Sequence, residues 1–313
     1  MWRIIELPNA ASPPTIFNAM TEPSLHHLNC LDTRGLHRMA YWSWGDPANP
    51  RVLVCVHGLS RQGRDFDTLA RDLCADYRVI CPDVVGRGQS DWLREPMGYG
   101  IPTYVADMVA LVARLGVAQV DWVGTSMGGL IGLGVAALQT AAGSPGLVGK
   151  LVLNDVGPVI EPASLQRIGS YLGQPAHWAS AEDAADALLS ISHGFGPHTP
   201  EEWLALTRPQ LLKHESGTGY KIHYDPAIAL PFRAATPAMA AMGEALLWQA
   251  YDRLTCPTLL LRGAQSDLLS AATALAMTQR GPHAQLVEFA GVGHAPTLVQ
   301  ADQRAAVKKF LLG

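Results

Sequence analysis

The sequence predicts an α/β chain, a doubly wound and mostly parallel sheet of eight strands carrying a helical cap. Three observations lead there. Short apolar runs bounded by turn residues, such as Val52–Val56 and Leu151–Leu153, alternate with amphipathic helical segments, as buried parallel strands and their crossovers do. One such run, Val120–Val123, leads through Gly124-Thr125-Ser126-Met127-Gly128 directly into a small-residue helical segment, Leu130 to Ala142. Between about Val159 and Ala250 the alternation lapses into helix-like segments broken by Gly and Pro, and afterwards it resumes.

The elements follow in order. Residues 1 to 24 are rich in Pro, Ala and Asn without a clear period and are expected to form a surface arm. Leu25–Leu31 and Leu36–Trp44, joined by Asp32-Thr33-Arg34-Gly35, form an antiparallel hairpin. The first parallel strand, Val52–Val56, stops at His57-Gly58-Leu59-Ser60. A helix over Asp65–Leu73 and a strand over Arg78–Pro82 follow, then the loop Gly86-Arg87-Gly88-Gln89-Ser90. Thr103–Leu115 places Val105, Met108, Val109, Val112 and Leu115 on one helical stripe that ends at Gly116. Lys150–Asp155 is again a buried strand. After the insertion come a strand over Pro257–Gly263, a helix over Ala271–Arg280, a strand over Gln285–Phe289 and a last helix over Thr297–Leu312. The implied division is a core of residues 1–158 and 251–313 with a cap of residues 159–250.

Composition excludes several partners. With 313 residues, 48% hydrophobic and 16% charged, the chain can bury a sizeable core. A net charge of -4 without runs of like charge argues against nucleic acid or an anionic membrane. No apolar run reaches the roughly 18 residues of a membrane span, and the first residues lack a signal-type apolar stretch. Five cysteines, at 30, 55, 74, 81 and 256, form no C-x-x-C pair and are read as reduced core residues, which implies a reducing compartment, the cytoplasm.

The pentapeptide around Ser126 is a G-x-S-x-G nucleophile elbow in its expected strand-turn-helix setting. A serine nucleophile needs a base and the base needs an orienting carboxylate. His294, in the turn after the last strand, and Asp267, just past the strand ending at Gly263, come in the order Ser, Asp, His. Asp155 is the rival acid, since it too ends a strand and lies between Ser126 and His294. His57 fits a hydrogen-bonding role in its loop better than that of a base. Gly86–Ser90 lacks the G-K-[ST] of a phosphate loop, and no metal-ligand spacing or dinucleotide fingerprint is present, so no cofactor and no metal are expected.

Taken together, His57-Gly58, Gly86-Arg87-Gly88-Gln89-Ser90, Gly124-Thr125-Ser126-Met127-Gly128, Asp267 and Gly293-His294 resemble an α/β-hydrolase with a cap, over residues 25 to 313. The resemblance implies Ser126 as nucleophile, His294 as general base and acid, Asp267 as its orienter, and an oxyanion hole from the backbone N–H groups of Leu59 and Met127. Leu151 to Pro158 and Tyr224-Asp225-Pro226 are similar to segments of proteobacterial cytoplasmic esterases, some of which act on short hydroxyalkanoate oligomers. Serine at the elbow departs from the aspartate of haloalkane dehalogenases and epoxide hydrolases. The expectation is therefore a serine hydrolase that cleaves a small-molecule carboxylic ester through an acyl-enzyme, with a homo-oligomer possible. Alternatives are a hydrolase of carbon–carbon bonds in ring-cleavage products, a lactonase or perhydrolase, and a non-catalytic ligand receptor on the same fold. Trp178, Phe232 and Trp248 are the apolar cap residues expected to line the pocket.

Overall fold

The computed structural model describes residues 21–138 and 146–313; most of the expected N-terminal arm and the last residues of the helical segment expected over Leu130 to Ala142 lie outside them. In chain order, β1 (Ser24–Asp32) and β2 (Gly35–Trp44) pair antiparallel through a turn whose Gly35 has φ +120°. β3 (Val52–Val56), α1 (Asp67–Leu73), β4 (Arg78–Asp83), α2 (Ile101–Leu115), β5 (Val120–Thr125), α3 (Met127–Ala137) and β6 (Val148–Asn154) follow. The inserted segment then runs through α4 (Pro162–Tyr171), α5 (Ala181–Ile191), α6 (Pro200–Thr207), β7 (Leu211–Lys213), β8 (Tyr220–Ile222), α7 (Ala229–Ala234) and α8 (Pro237–Asp252). β9 (Thr258–Gly263), α9 (Ala271–Gln279), β10 (Gln285–Phe289) and α10 (Ala301–Leu312) complete the chain.

The main sheet has eight strands in the order β1-β2-β4-β3-β5-β6-β9-β10, antiparallel only where β2 meets its two neighbours. Its central strands are buried on both faces because their side chains alternate between two apolar layers. Trp122, Leu151 and Leu153 face a layer shared with Met108, Ile131 and Met277. Val123, Val152 and Leu261 face the other, with Leu69, Val307 and Leu311. No helix among the described residues is long and apolar enough to cross a membrane.

The insertion is not purely helical, as β7 and β8 form a small antiparallel hairpin of their own. Gly217 and Gly219, both at positive φ, allow the tight reversal between them. At its far end α8 packs on α3, a helix of the core, although it lies within the block expected as cap. The insertion is fastened to the core beside the Gly86–Ser90 loop. The Gly88 N–H donates to the His223 carbonyl (3.1 Å), the Asp225 N–H donates to the Gly86 carbonyl (2.8 Å), and the Tyr99 hydroxyl donates to the buried Asp225 carboxylate (2.6 Å). Two motifs separated by over a hundred residues are thus each other's partners.

One buried polar cluster lies apart from this region. His37, on β2, sits between Asp107 of α2 (3.0 Å) and Asp32 (3.3 Å), with Cys30 opposite it on β1. Burial works against protonation of His37, but the two carboxylates outweigh it and raise its pKa. Burial also pushes the Cys30 thiol up to about 12. The group pins the edge hairpin to α2.

Candidate active site

Thr125 ends β5 and Met127 begins α3, so the chain reverses from strand to helix at Ser126 alone. Its φ of 52° and ψ of -116° are strained for a residue with a side chain. Close packing holds it there. A Cβ on Gly124 would overlap the Gly128–Gly129 backbone, and one on Gly128 would overlap the Val56 carbonyl. The Ser126 N–H donates to the Asn154 carbonyl (2.9 Å), which hangs the elbow from the end of β6.

Ser126 Oγ lies 3.0 Å from His294 Nε2, and His294 Nδ1 lies 2.7 Å from Asp155 Oδ2. A carboxylate only accepts, so Nδ1–H donates to it and the Nε2 lone pair faces the serine hydroxyl. The structure therefore corrects the expected acid: Asp155, not Asp267, holds the imidazole. Asp155 follows β6 at once with φ 55°, fully buried, and its carboxylate also accepts from the Gly263 N–H (2.8 Å) and the Ser266 hydroxyl (2.6 Å). Asp267 lies four residues past the end of β9, out in the loop, where Arg167 of α4 grips it through Nε (2.6 Å) and Nη2 (2.8 Å). Partial burial opposes its ionisation, but that guanidinium prevails and holds the carboxyl below its ordinary range.

Leu59 shares the space around Ser126, and its orientation is set by fully buried His57. His57 Nδ1–H donates to the Gly58 carbonyl (2.7 Å), and Nε2 accepts from the Val84 N–H (2.9 Å). Across a trans peptide, pinning the Gly58 carbonyl on one side turns the Leu59 N–H to the other. Burial drives the His57 pKa down to about 3, so the ring stays neutral. As pH falls below about 6.5 the unfolded chain takes up a proton that folded His57 refuses, so stability is lost between there and about 3. Buried Asp83, raised to about 6 by burial, opposes this, since below that pH it binds its proton more readily when folded. Its contribution is shared by wild type and a His57→Gln variant. The stability advantage of wild type, from denaturant titrations at several pH values, should shrink by about 1.4 kcal/mol per pH unit below about 6.5. A constant difference would mean that His57 is not held neutral.

Sequence reasoning missed Arg87 as part of this wall. Fully buried, it donates to the Leu59 carbonyl (2.8 Å), the Val85 carbonyl (2.7 Å) and the Tyr104 hydroxyl (3.0 Å), and touches Met127 Sδ (3.7 Å). One guanidinium thus braces both residues expected to supply oxyanion N–H groups. Asn154 was also missed: its Nδ2 donates to Thr125 Oγ1 (2.9 Å) and to the Pro296 carbonyl (2.7 Å), tying β5 to the loop that carries His294. The residue types carried no signal for either role; only the strand order brings these partners together.

Two cavities meet at Ser126, with Leu59 and Ile168 lining both. The first, about 230 Å³, has Arg61, Arg167, Gln174 and Gln210 among aromatic walls that include Trp178, and it reaches His294. The second, about 320 Å³, is walled by Tyr99, Leu130, Val156, Leu165 and Phe232 and has no charged side chain among its described lining. Trp178 and Phe232 thus line the space as expected. Trp248 lines neither cavity; it sits on α8 beneath Arg280 (3.9 Å) and against Tyr251, where it packs the outer helical layer.

A family model for the alpha/beta hydrolase family matches residues 53–308. The chain belongs to that family. A 3-hydroxybutyrate-oligomer hydrolase of Cupriavidus necator is 53% identical to this hydrolase over 294 residues, covering 93% of this chain and 98% of that one. A pimeloyl-[acyl-carrier protein] methyl ester esterase of Xanthomonas campestris is 27% identical over 265 residues, 83% and 94% of the two chains. The crystal structure of an alpha/beta hydrolase from Novosphingobium aromaticivorans superposes with a TM-score of 0.80 at 36% identity, covering 93% and 98%. The hydrolase therefore shares the fold of that crystal structure across nearly its whole length.

Proposed function

We propose that this hydrolase cleaves carboxylic esters, with short hydroxyalkanoate oligoesters as its substrates, through an acyl-enzyme on Ser126. The observation that carries the reading is the continuous hydrogen-bonded chain from Ser126 through His294 to Asp155, placed where two cavities meet. His294 Nε2 takes the Ser126 proton as Oγ attacks the ester carbonyl. The Leu59 and Met127 N–H groups receive the developing oxyanion. The imidazolium, held by Asp155, then gives its proton to the leaving alcohol. Water enters, loses a proton to His294 and releases the acid by the reverse sequence. Residues 159–250 act as the cap over this site, with α8 at their end packed on α3, and the enzyme works in the cytoplasm, a placement supported by five buried free cysteines.

The substrate class is supported by the 53% identical oligomer hydrolase and by a site with room for a chain on both sides of Ser126. Initial rates should be compared on a linear 3-hydroxybutyrate trimer, a ring-cleavage diketone and a simple lactone. The trimer should be hydrolysed with the highest kcat/KM. A higher value on the diketone would replace this proposal with carbon–carbon bond hydrolysis.

A further inference from the structure

The two cavities differ in charge, and only one of them contains the proton donor for the leaving group. His294 lines the first and not the second. In acyl transfer to Ser126, the group that protonates the leaving oxygen must lie beside it, so the alcohol half departs on the His294 side and the acyl half extends the other way. Among the described residues the first cavity is lined by two guanidiniums, Arg61 and Arg167, and by no Asp or Glu. Their partners stand behind them: Asp65 takes the Nε–Nη2 edge of Arg61 (2.6 and 2.8 Å), and Asp267 takes the same edge of Arg167. A guanidinium has five N–H donors in a planar fork, so an acid on one edge fixes its orientation while Nη1 can serve a second acceptor. Ile168, next to Arg167 on α4, is shared by both cavities and separates the charged space from the apolar one.

We infer that the first cavity is an anion subsite for the leaving half of the ester, in which Arg167 binds a carboxylate carried by the alcohol, while the second cavity takes an uncharged acyl chain. The inference rests on the proposed ester hydrolysis and gives the substrate a direction. In a hydroxyalkanoate oligomer, hydrolysis of an internal ester leaves the free hydroxyl end on the acyl fragment and the free carboxylate on the alcohol fragment. The carboxyl-terminal fragment therefore departs first, past Arg167, and the hydroxyl-terminal fragment remains on Ser126.

The test compares 3-(butanoyloxy)butanoate with its methyl ester, following butanoate release, and monoethyl succinate with ethyl butanoate, following ethanol. Wild-type enzyme at low ionic strength should favour the free carboxylate in the first pair by about tenfold in kcat/KM, chiefly through KM, as a charge-assisted contact does. Salt at about 0.5 M should reduce that preference. In the second pair, where the carboxylate lies in the acyl half, the neutral ester should be favoured. Arg167→Gln should bring the first ratio close to one, and Arg167→Lys, which keeps the charge without the fork, should leave an intermediate ratio if the packing of α4 is retained. Equal rates on the first pair, a ratio unchanged in both variants, or a preference for monoethyl succinate would overturn the inference while leaving ester hydrolysis intact. Failure to cleave any of the four esters would instead remove the ester-hydrolase reading, and this inference with it.

Discussion

Asp155→Asn should lower kcat by about 10⁴, the cost of the equivalent change in a serine protease. The amide can still accept from the Gly263 N–H, so the loop is kept. Turned toward His294, however, its NH₂ group favours the tautomer with the proton on Nε2, and that nitrogen can no longer take the Ser126 proton. Asp267→Asn should cost less than about tenfold in kcat on a neutral ester, because it removes a half-exposed ion pair with Arg167 rather than the partner of the base. Steady-state kinetics on the two variants, with matched thermal melts, decide between them. A nearly inactive Asp267→Asn beside an active Asp155→Asn would move the acid back to the later loop.

Ser126→Ala should abolish covalent labelling by a fluorophosphonate and lower ester turnover by about 10⁶, the scale seen when a nucleophile that works as a unit with its base is removed. Intact-protein mass spectrometry reads the adduct directly. The same reagent should still label Asp155→Asn, only more slowly, since its serine remains in place. A wild-type protein that resists the reagent, or a Ser126→Ala protein that still gains its mass, would refute the nucleophile.

The meeting of Ser126 with His294 was legible because each is announced locally, one by a strand-turn-helix pattern with two obligatory glycines and the other by a turn after the last strand. The eight strands were legible for a related reason, as continuous apolar runs permit burial on both faces. The acid was not. Asp155 and Asp267 both follow strands and both precede His294, and what separates them is spatial. β6 lies beside the strand that leads into Ser126, and Asp155 is the first residue beyond it, whereas Asp267 is the fourth residue past β9, with room to swing away. Neighbour relations among parallel strands are set by crossovers, which leave no periodic trace in the chain. Trp248 misled for a similar reason: an aromatic residue in the inserted block reads as pocket lining until α8 is found packed on α3.

The register that joins Thr125 to Asn154 on adjacent parallel strands has an evolutionary corollary. Ser126 and Asp155, each the first residue past its strand, are spaced by the separation of two hydrogen-bonded strands, a distance that no insertion elsewhere can stretch. The inserted segment begins only after Asp155 and returns before β9, so it interrupts neither strand. Its length and sequence are free to drift, or to be exchanged for those of a relative, under selection for what is bound rather than for how the bond is broken. Lineages with this frame can therefore change diet by rewriting one stretch of chain while the chemistry is inherited intact.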